Sequence, residues 1–114
     1  MTLGELISDV RVLLKDGEVP YHWSDDVIAG FIRDAICRLN HVRPASRYDA
    51  SGRLNDIVWP NDLKTYEIPA YLMRWKQGFV YYASARSLEI DATDTVNQSL
   101  AVDFMAKAEA RFLT

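Results

Sequence analysis

The sequence predicts a mainly α-helical protein with the architecture of a four-helix bundle. Apolar residues recur at three- and four-residue steps in four separate stretches, which is the period of an amphipathic helix. Residues typical of helix N-termini precede the first two stretches. At 114 residues the chain has the usual size of one domain, and 49% hydrophobic residues are enough to build a core. We therefore predict a single domain, residues 1 to 114, with helices at about residues 3–15, 24–42, 70–89 and 95–113.

The first two predicted helices begin at recognisable capping residues. Thr2 and Glu5 have the spacing of a capping box, and the first helix should end near Gly17. Ser24 is the expected N-cap of the second helix, and Pro44 marks its limit. The buried face predicted for the second helix comprises Val27, Ile28, Phe31, Ile32, Ala35, Ile36 and Leu39.

The third and fourth predicted helices differ in the arrangement of their apolar residues. The third follows Pro69, which suits a first helical turn, and it is apolar on more than one side. Such a helix lies at the centre of a bundle or is shared with a neighbouring subunit. The fourth follows an acidic break at residues 91–94. Its buried face is predicted from Val96, Leu100, Phe104, Ala108 and Phe112, with Ala101 and Met105 alongside.

Residues 45 to 69 interrupt the helical pattern with Gly, Pro, Asn and Asp residues. Within this segment, residues 54–59 and 64–68 carry residues that favour strands, and they could pair as a hairpin across Pro60-Asn61-Asp62. The alternative is an ordered but irregular loop. The sequence therefore predicts an irregular or short β-hairpin insertion that projects between the second and third helices.

Few residues are arranged for catalysis or for metal or cofactor binding. The chain has no Gly-rich phosphate loop, and its two histidines, His22 and His41, stand apart from one another. The acidic residues Glu89, Asp91 and Asp94 lack the ligand pattern of a calcium loop and are interpreted as capping and turn residues. We predict a protein that is not an enzyme and has no cofactor.

Composition narrows the possible classes of partner and compartment. The formal net charge of −3 argues against a general nucleic-acid binder, because phosphate neutralisation needs a surplus of Lys and Arg. Cys37 falls within the apolar pattern of the second helix and is predicted to be a buried, unpaired thiol, as in a reducing compartment. Neither a signal peptide nor a run of about 18 apolar residues is recognisable, so export and membrane insertion are not expected.

Charge is distributed unevenly along the chain. Five arginines and two acids lie between residues 33 and 53, whereas residues 89–103 hold four acids and no cation. Opposite charges on two separated surfaces would allow copies of the chain to stack head to tail, and a closed series of such contacts makes a ring. The alternative is that these residues are simply the solvated faces of helices.

Two blocks of the sequence resemble the head-to-tail connector adaptors of tailed bacteriophages, also called head-completion or neck adaptor proteins. The first block consists of Leu13, Leu14 and Asp16, then Trp23-Ser24-Asp25-Asp26, Asp34-Ala35 and Arg43-Pro44. The second block runs from Tyr81 through Arg86, and an acidic break and a helix ending in Phe112 follow it. Together they cover roughly the whole chain except residues 45 to 69, where Ala45 to Asp49 departs from the family pattern.

The resemblance implies a structural virion protein of the head-tail neck, made in the cytoplasm of the host bacterium. Such adaptors form a homo-oligomeric ring of about twelve copies that docks onto the portal protein after DNA packaging. The ring extends the DNA channel and provides the attachment platform for the tail or other neck proteins. DNA passes through the channel without sequence-specific binding.

We predict that the partner interface draws on the insertion, the arginine-rich stretch, the acidic break and the C-terminal tail. Its residues are Trp59, Tyr66, Arg43, Arg47, Arg53, Asp91, Asp94, Arg111, Phe112 and Leu113. On this prediction, truncation from Arg111 would weaken portal docking and leave the fold nearly intact.

A second class of function stays open, namely a small acidic helical regulatory or partner-binding protein with no virion role. An anti-repressor or an antitoxin would belong to this class, and a stable one-to-one complex would distinguish an antitoxin from a ring. A helix-turn-helix is disfavoured, because the second helix is acidic at the end that normally meets DNA bases.

Overall fold

Four α-helices form the described part of the chain, which comprises residues 1–17, 22–48, 51–53, 65–90 and 95–113 of a computed structural model. The helices are α1 (Leu3–Leu14), α2 (Asp25–Val42), α3 (Lys76–Ile90) and α4 (Thr95–Phe112). Two short 3₁₀ helices, Pro44–Arg47 and Ala70–Trp75, follow α2 and precede α3. The mainly helical, four-helix fold class predicted from the sequence is confirmed. The predicted third helix is divided, since its first turns are 3₁₀.

The predicted caps are present at the starts of α1 and α2. The Glu5 amide donates to Thr2 Oγ1 at 3.2 Å, and the Thr2 amide donates back to the Glu5 carboxylate, which completes the capping box. The Val27 amide donates to Ser24 Oγ at 3.2 Å. Lys15 ends α1 in the left-handed conformation, with φ of 57°. Local hydrogen bonding therefore sets both helix starts.

Helix α3 lies at the centre of the bundle and packs against α1, α2 and α4. Nine of its fifteen residues are buried, on more than one side of the helix. Of the two alternatives that its all-round apolar character left open, a central position in the bundle is the one that the fold shows. At one end of the bundle, Trp23 Nε1 donates to the Ser87 carbonyl oxygen at 2.9 Å. At the other end, Arg43 Nε donates to the Phe112 carbonyl oxygen, which ties the end of α2 to the end of α4.

The hairpin alternative for residues 45–69 receives no support from the described residues. Residues 66–68 instead pair with the start of the chain, where Leu3 N donates to the Tyr66 carbonyl at 2.7 Å and Ile68 N donates to the Met1 carbonyl at 3.0 Å. Thr2 and Glu67 form an isolated antiparallel bridge. Residues 54–64, which include the other proposed strand, lie outside the described residues.

Three residues predicted to be buried are exposed. Val27 is 38% exposed, Cys37 is exposed, and Leu100 also faces solvent. In α2 the buried stripe runs through Ile28, Ala29, Ile32, Ala35, Ile36 and Leu39, and a turn of about 100° per residue carries Val27 and Cys37 away from it. In α4 a strict four-residue repeat drifts around the helix because a turn contains 3.6 residues, so Ala101 is buried in place of Leu100.

Replacing either of two helical glycines by alanine should change the stability of the protein in opposite directions. A Cβ at Gly30 of α2 would meet no atom within 4 Å, whereas a Cβ at Gly78 of α3 would lie 2.6 Å from Phe112 Cε1. We expect Gly30→Ala to stabilise the protein by about 0.5–1 kcal/mol, because alanine has the better helix propensity. We expect Gly78→Ala to destabilise it by about 1–3 kcal/mol through overpacking against a buried ring. Urea unfolding of both variants measures the change in the free energy of unfolding. A stabilised Gly78→Ala variant would contradict the packing of α4 on α3.

Candidate functional site

A buried ionic network joins α1 to the start of α2. Arg11 of α1 is only 6% exposed, and its Nη1 donates to Asp16 Oδ2 at 2.8 Å and to the Trp23 carbonyl oxygen at 2.9 Å. Its Nη2 pairs with Asp25 Oδ1. A buried guanidinium needs such partners, because an uncompensated charge in the interior is strongly unfavourable. Arg11 therefore holds both acidic residues against α1.

Asp16 is the second centre of this network. Its Oδ1 accepts the His22 amide at 2.8 Å, and its Oδ2 accepts the Trp23 amide at 3.2 Å. The Trp23 indole in turn reaches the Ser87 carbonyl of α3. Asp16, Trp23 and Asp25 belong to the first resemblance block, so the structure brings those residues together as one packed unit.

Arg11 is the residue of the network that the sequence analysis did not single out, because it belongs to no recognisable motif. The signal in the sequence is its position, because it follows Ile7 by four residues and precedes Leu14 by three on an otherwise apolar face. A cation at a core position of an amphipathic helix must find buried partners. The acidic residues on either side of the following turn are those partners.

The arginine-rich stretch, residues 33–53, forms an ion pair with another helix of the same chain. Arg38 Nε donates to Glu109 Oε1 of α4 at 2.9 Å, and Arg38 Nη2 reaches Glu109 Oε2 at 3.4 Å. This hydrogen bond, together with the charge of Glu109, raises the pKa of Arg38 above its ordinary value. Asp103 of α4 is paired with Lys107 at 3.0 Å. The basic stretch is therefore in contact with α4, through a glutamate that lies outside the acidic stretch of residues 89–103.

Four arginines lie at the end of the bundle where α2 and α4 end and α3 begins. We call this surface the basic end and define it by Arg43, Arg47, Arg74 and Arg111. An open groove of about 270 Å³ lies there between the two 3₁₀ helices. Its lining residues are Arg43, Ala45, Ser46, Tyr48, Tyr71, Arg74 and Trp75. The Arg74 guanidinium lies 5.0 Å from the centre of the Trp75 ring, which gives this end both charge and aromatic surface.

The C-terminal residues predicted to contact a partner divide into buried and exposed positions. Phe112 is fully buried, and its ring centre lies 6.0 Å from that of Phe79 and 6.4 Å from that of Tyr82. Its assignment to the interface is wrong, because the side chain belongs to the core. Arg111 and Leu113 are exposed, so their assignment stays a prediction.

The remaining predicted interface residues lie in several places. Tyr66 is half-buried beside the start of α1, and burial raises the pKa of its phenol. Arg47 and Arg53 are exposed, and Arg47 joins Arg43 at the basic end. Trp59, Asp91 and Asp94 lie outside the described residues.

Apolar surface is exposed on α1 and on α4. Val12 of α1 is 77% exposed and borders an open groove between α1 and α3. Val102 and Leu113, on α4 and just after it, are 72% and 67% exposed. Exposed apolar patches of this kind mark contact surfaces when they are contiguous.

The described parts of the chain show no feature for metal binding or for crossing a membrane. The described residues contain no group of three or more His, Cys, Asp or Glu residues that could hold a metal ion. None of the described helices combines the length and the apolar character needed to cross a membrane.

Comparisons with protein-family models, with curated proteins and with solved structures found no match for this chain. Similarity to known proteins therefore does not place the chain in a family. The features available for a functional argument are its own: the Arg11 network, the basic end and the exposed apolar face of α4.

Proposed function

We propose that this chain is a head-to-tail adaptor of the tailed-bacteriophage neck, a structural protein that docks on the portal as a ring, extends the DNA channel and carries the tail. The observation that supports this most is the joint role of Asp16, Trp23, Ser24 and Asp25. These residues of the first resemblance block bond to one another, to Arg11 or to the first turn of α2. Because these residues form one structural unit, their joint occurrence supports the resemblance more strongly than any one of them alone.

A ring subunit must present two different surfaces in a fixed relation, because small errors in angle accumulate around a closed ring. The Arg11 network fixes Asp16 and the residues directly before α2 to α1, and the Trp23 indole reaches α3. The Arg43 side chain fixes the end of α2 to the end of α4. Both ends of the bundle are thus tied to neighbouring helices, which suits a rigid assembly unit.

The basic end supplies the chemistry for docking on a portal. Arg47 and Arg111 are exposed there, and the adjacent groove offers Tyr48 and Tyr71 as aromatic contacts. Arginine and tyrosine are the residues that most often dominate the energy of protein interfaces. An acidic surface on the portal would match this end in charge. The net charge of −3 would let DNA pass the ring without strong phosphate contacts.

Electron microscopy of the purified protein mixed with the portal protein of the same phage tests the proposal. We expect an additional ring layer on side views of the portal. We expect Arg47→Glu to lose that layer, because it reverses a charge at the basic end. Arg33→Glu, an exposed residue on the outer side of α2, is the matched control and should keep the layer.

Bare portals at protein concentrations well above micromolar would contradict the adaptor role and would favour a partner outside the virion. Equal loss of the layer in both variants would contradict the assignment of docking to the basic end. Circular dichroism of the two variants confirms that each keeps the helical fold.

A further inference from the structure

The groove at the basic end, between the two 3₁₀ helices, is lined by hydrogen-bond donors and by no acid among its described residues. Those residues are two arginines, two tyrosines, a tryptophan, an alanine and a serine. Guanidinium and indole groups only donate hydrogen bonds, and the Ser46 hydroxyl donates its proton to Asn40 Oδ1. A groove with positive charge and several donors, and with no described acid to neutralise them, suits a negatively charged ligand.

Arg43 is the cation of this groove that has no acidic partner among the described residues. Its side chain is half-buried, and its Nε donates to the Phe112 carbonyl oxygen. Arg11 and Arg38, by contrast, are each paired with a carboxylate. A guanidinium carries five N–H donors, so the edge formed by the two Nη atoms remains for a ligand. Arg43 therefore offers a planar pair of donors that matches the two oxygens of a carboxylate.

Trp75 is a second, independent indication of a ligand. It lines the groove and is only 8% exposed, and its indole Nε1 is a buried donor with no acceptor among the described residues. Buried donors nearly always have a partner, because an unmade hydrogen bond in the interior is costly. Trp23, whose Nε1 donates to the Ser87 carbonyl oxygen, shows the usual arrangement. The Trp75 nitrogen is closed to solvent, so we expect a side chain of the groove to move when a ligand reaches it.

We propose that this groove binds the carboxylate of a glutamate or aspartate side chain on a protein partner. The two carboxylate oxygens accept from the Nη atoms of Arg43, and one of them also accepts from Trp75 Nε1. Such a charge-assisted, bidentate pair is stronger and more directional than a hydrogen bond between neutral groups. The identity of the partner rests on the proposed function, in which it is the portal, whereas the carboxylate chemistry rests on the groove alone.

Size and lining favour an acidic side chain over a larger ligand or a phosphate. The groove has a volume of about 270 Å³. Pockets that enclose whole small-molecule ligands usually measure roughly 300–1,000 Å³. Tyr71 and Trp75 supply aromatic walls for the methylene groups of the acidic side chain. Phosphate groups are commonly held by glycine-rich loops or helix N-termini, and no glycine is among the described lining residues.

NMR of the full chain labelled with ¹⁵N tests the binding directly. The three tryptophans give three indole N–H signals, and Trp75→Phe identifies the signal of Trp75. We expect the peptide acetyl-Gly-Glu-Gly-amide, at constant ionic strength, to shift this signal in a saturable manner, with a Kd on the order of 1 mM. The Trp23 signal is the internal control, because its N–H is already bonded to Ser87. The peptide acetyl-Gly-Gln-Gly-amide lacks the charge and should cause no saturable shift.

Two arginine variants separate the groove from the rest of the basic end. Arg43→Gln should weaken binding of the Glu peptide by about tenfold or more, because hydrogen bonds to a charged group are lost. Arg47→Gln removes the same charge from an exposed residue outside the described lining, and its Kd should be nearly that of the native chain. Circular dichroism checks that each variant is folded, since Arg43 also ties α2 to α4. Arg43→Lys keeps the charge without the planar pair of donors and should also bind more weakly than the native chain.

Several results would overturn the proposal. They are the lack of a saturable Trp75 shift up to about 50 mM Glu peptide, an equal shift with the Gln peptide, and equal weakening by Arg43→Gln and Arg47→Gln. Inorganic phosphate that binds as tightly as the Glu peptide would overturn the assignment to a carboxylate. These measurements need no portal. Bare portals in electron microscopy would therefore leave carboxylate binding intact, and a groove that binds no carboxylate would leave portal docking through Arg47 to be decided by microscopy.

Discussion

Replacing Phe112 by alanine should destabilise the protein by about 3–5 kcal/mol, the usual cost of removing a fully buried phenylalanine ring. The ring fills the space beside Gly78 and packs against Phe79 and Tyr82. Removing it leaves a cavity between α3 and α4, the two helices with the most extensive contact in the bundle. Equilibrium unfolding in urea, followed by circular dichroism, measures the loss.

Leu113→Ala is the matched control for this change. The residue is next in the chain and 67% exposed, so its replacement should alter the unfolding free energy by less than about 0.5 kcal/mol. Truncation from Arg111 was expected from the sequence to leave the fold nearly intact. The burial of Phe112 reverses that expectation. The truncation should be at least as damaging as Phe112→Ala, because it also removes the carbonyl that accepts from Arg43. A truncated protein of native stability would contradict the placement of Phe112 in the core.

Replacing Arg11 by methionine should cost about 3–5 kcal/mol, because it leaves the buried Asp16 carboxylate without its cation. Methionine keeps much of the length of the arginine stem, so the loss reports on the charge and hydrogen bonds more than on volume. Small domains are stable by only about 5–15 kcal/mol. The variant should therefore unfold at much lower urea concentration than the native chain.

A double-mutant cycle separates the ionic contribution of Arg11 from the rest. Adding Asp16→Asn to Arg11→Met removes the orphaned charge and should recover part of the lost stability, with a coupling energy of about 0.5–3 kcal/mol. Arg33→Met, on an exposed arginine of α2, is the control and should be nearly neutral. Equal effects of Arg11→Met and Arg33→Met would show that the network contributes nothing to stability.

These two predictions concern different parts of the proposed adaptor. The Phe112 variant tests how α4 is held against α3, and α4 carries Arg111 of the basic end. The Arg11 variant tests the contacts that Asp16, Trp23 and Asp25 of the first resemblance block make with α1. Loss of portal docking in either variant would therefore have to be measured at a temperature where the variant is still folded.

Helix starts were predictable from the sequence because capping is local. Thr2 with Glu5, and Ser24 with Val27, bond within three residues of each other, so their spacing alone specifies the contact. That α3 is enclosed on several sides was predictable for a related reason. A helix that is apolar on several sides has to be surrounded, whichever helices surround it.

The limits of prediction lie where contacts are distant in sequence. Arg43 and Phe112 are 69 residues apart, and no local pattern indicates that the end of α2 would hold the end of α4. The sequence placed Phe112 both on the buried face of the fourth helix and in the partner interface, and its packing against Phe79 decides for the core. Residues 66–68 had β-favouring character, but their partner is the start of the chain, which lies more than sixty residues away.

The sequence by itself determined the fold class and the helix starts, because helical period and capping depend on neighbours within a turn or two. Only the tertiary structure decided that Val27, Cys37 and Leu100 fall outside the buried faces of α2 and α4, that Arg11 is the centre of a buried network, and that Phe112 lies in the core and not at the interface. The physical reason is that burial and ion pairing depend on which elements meet in space.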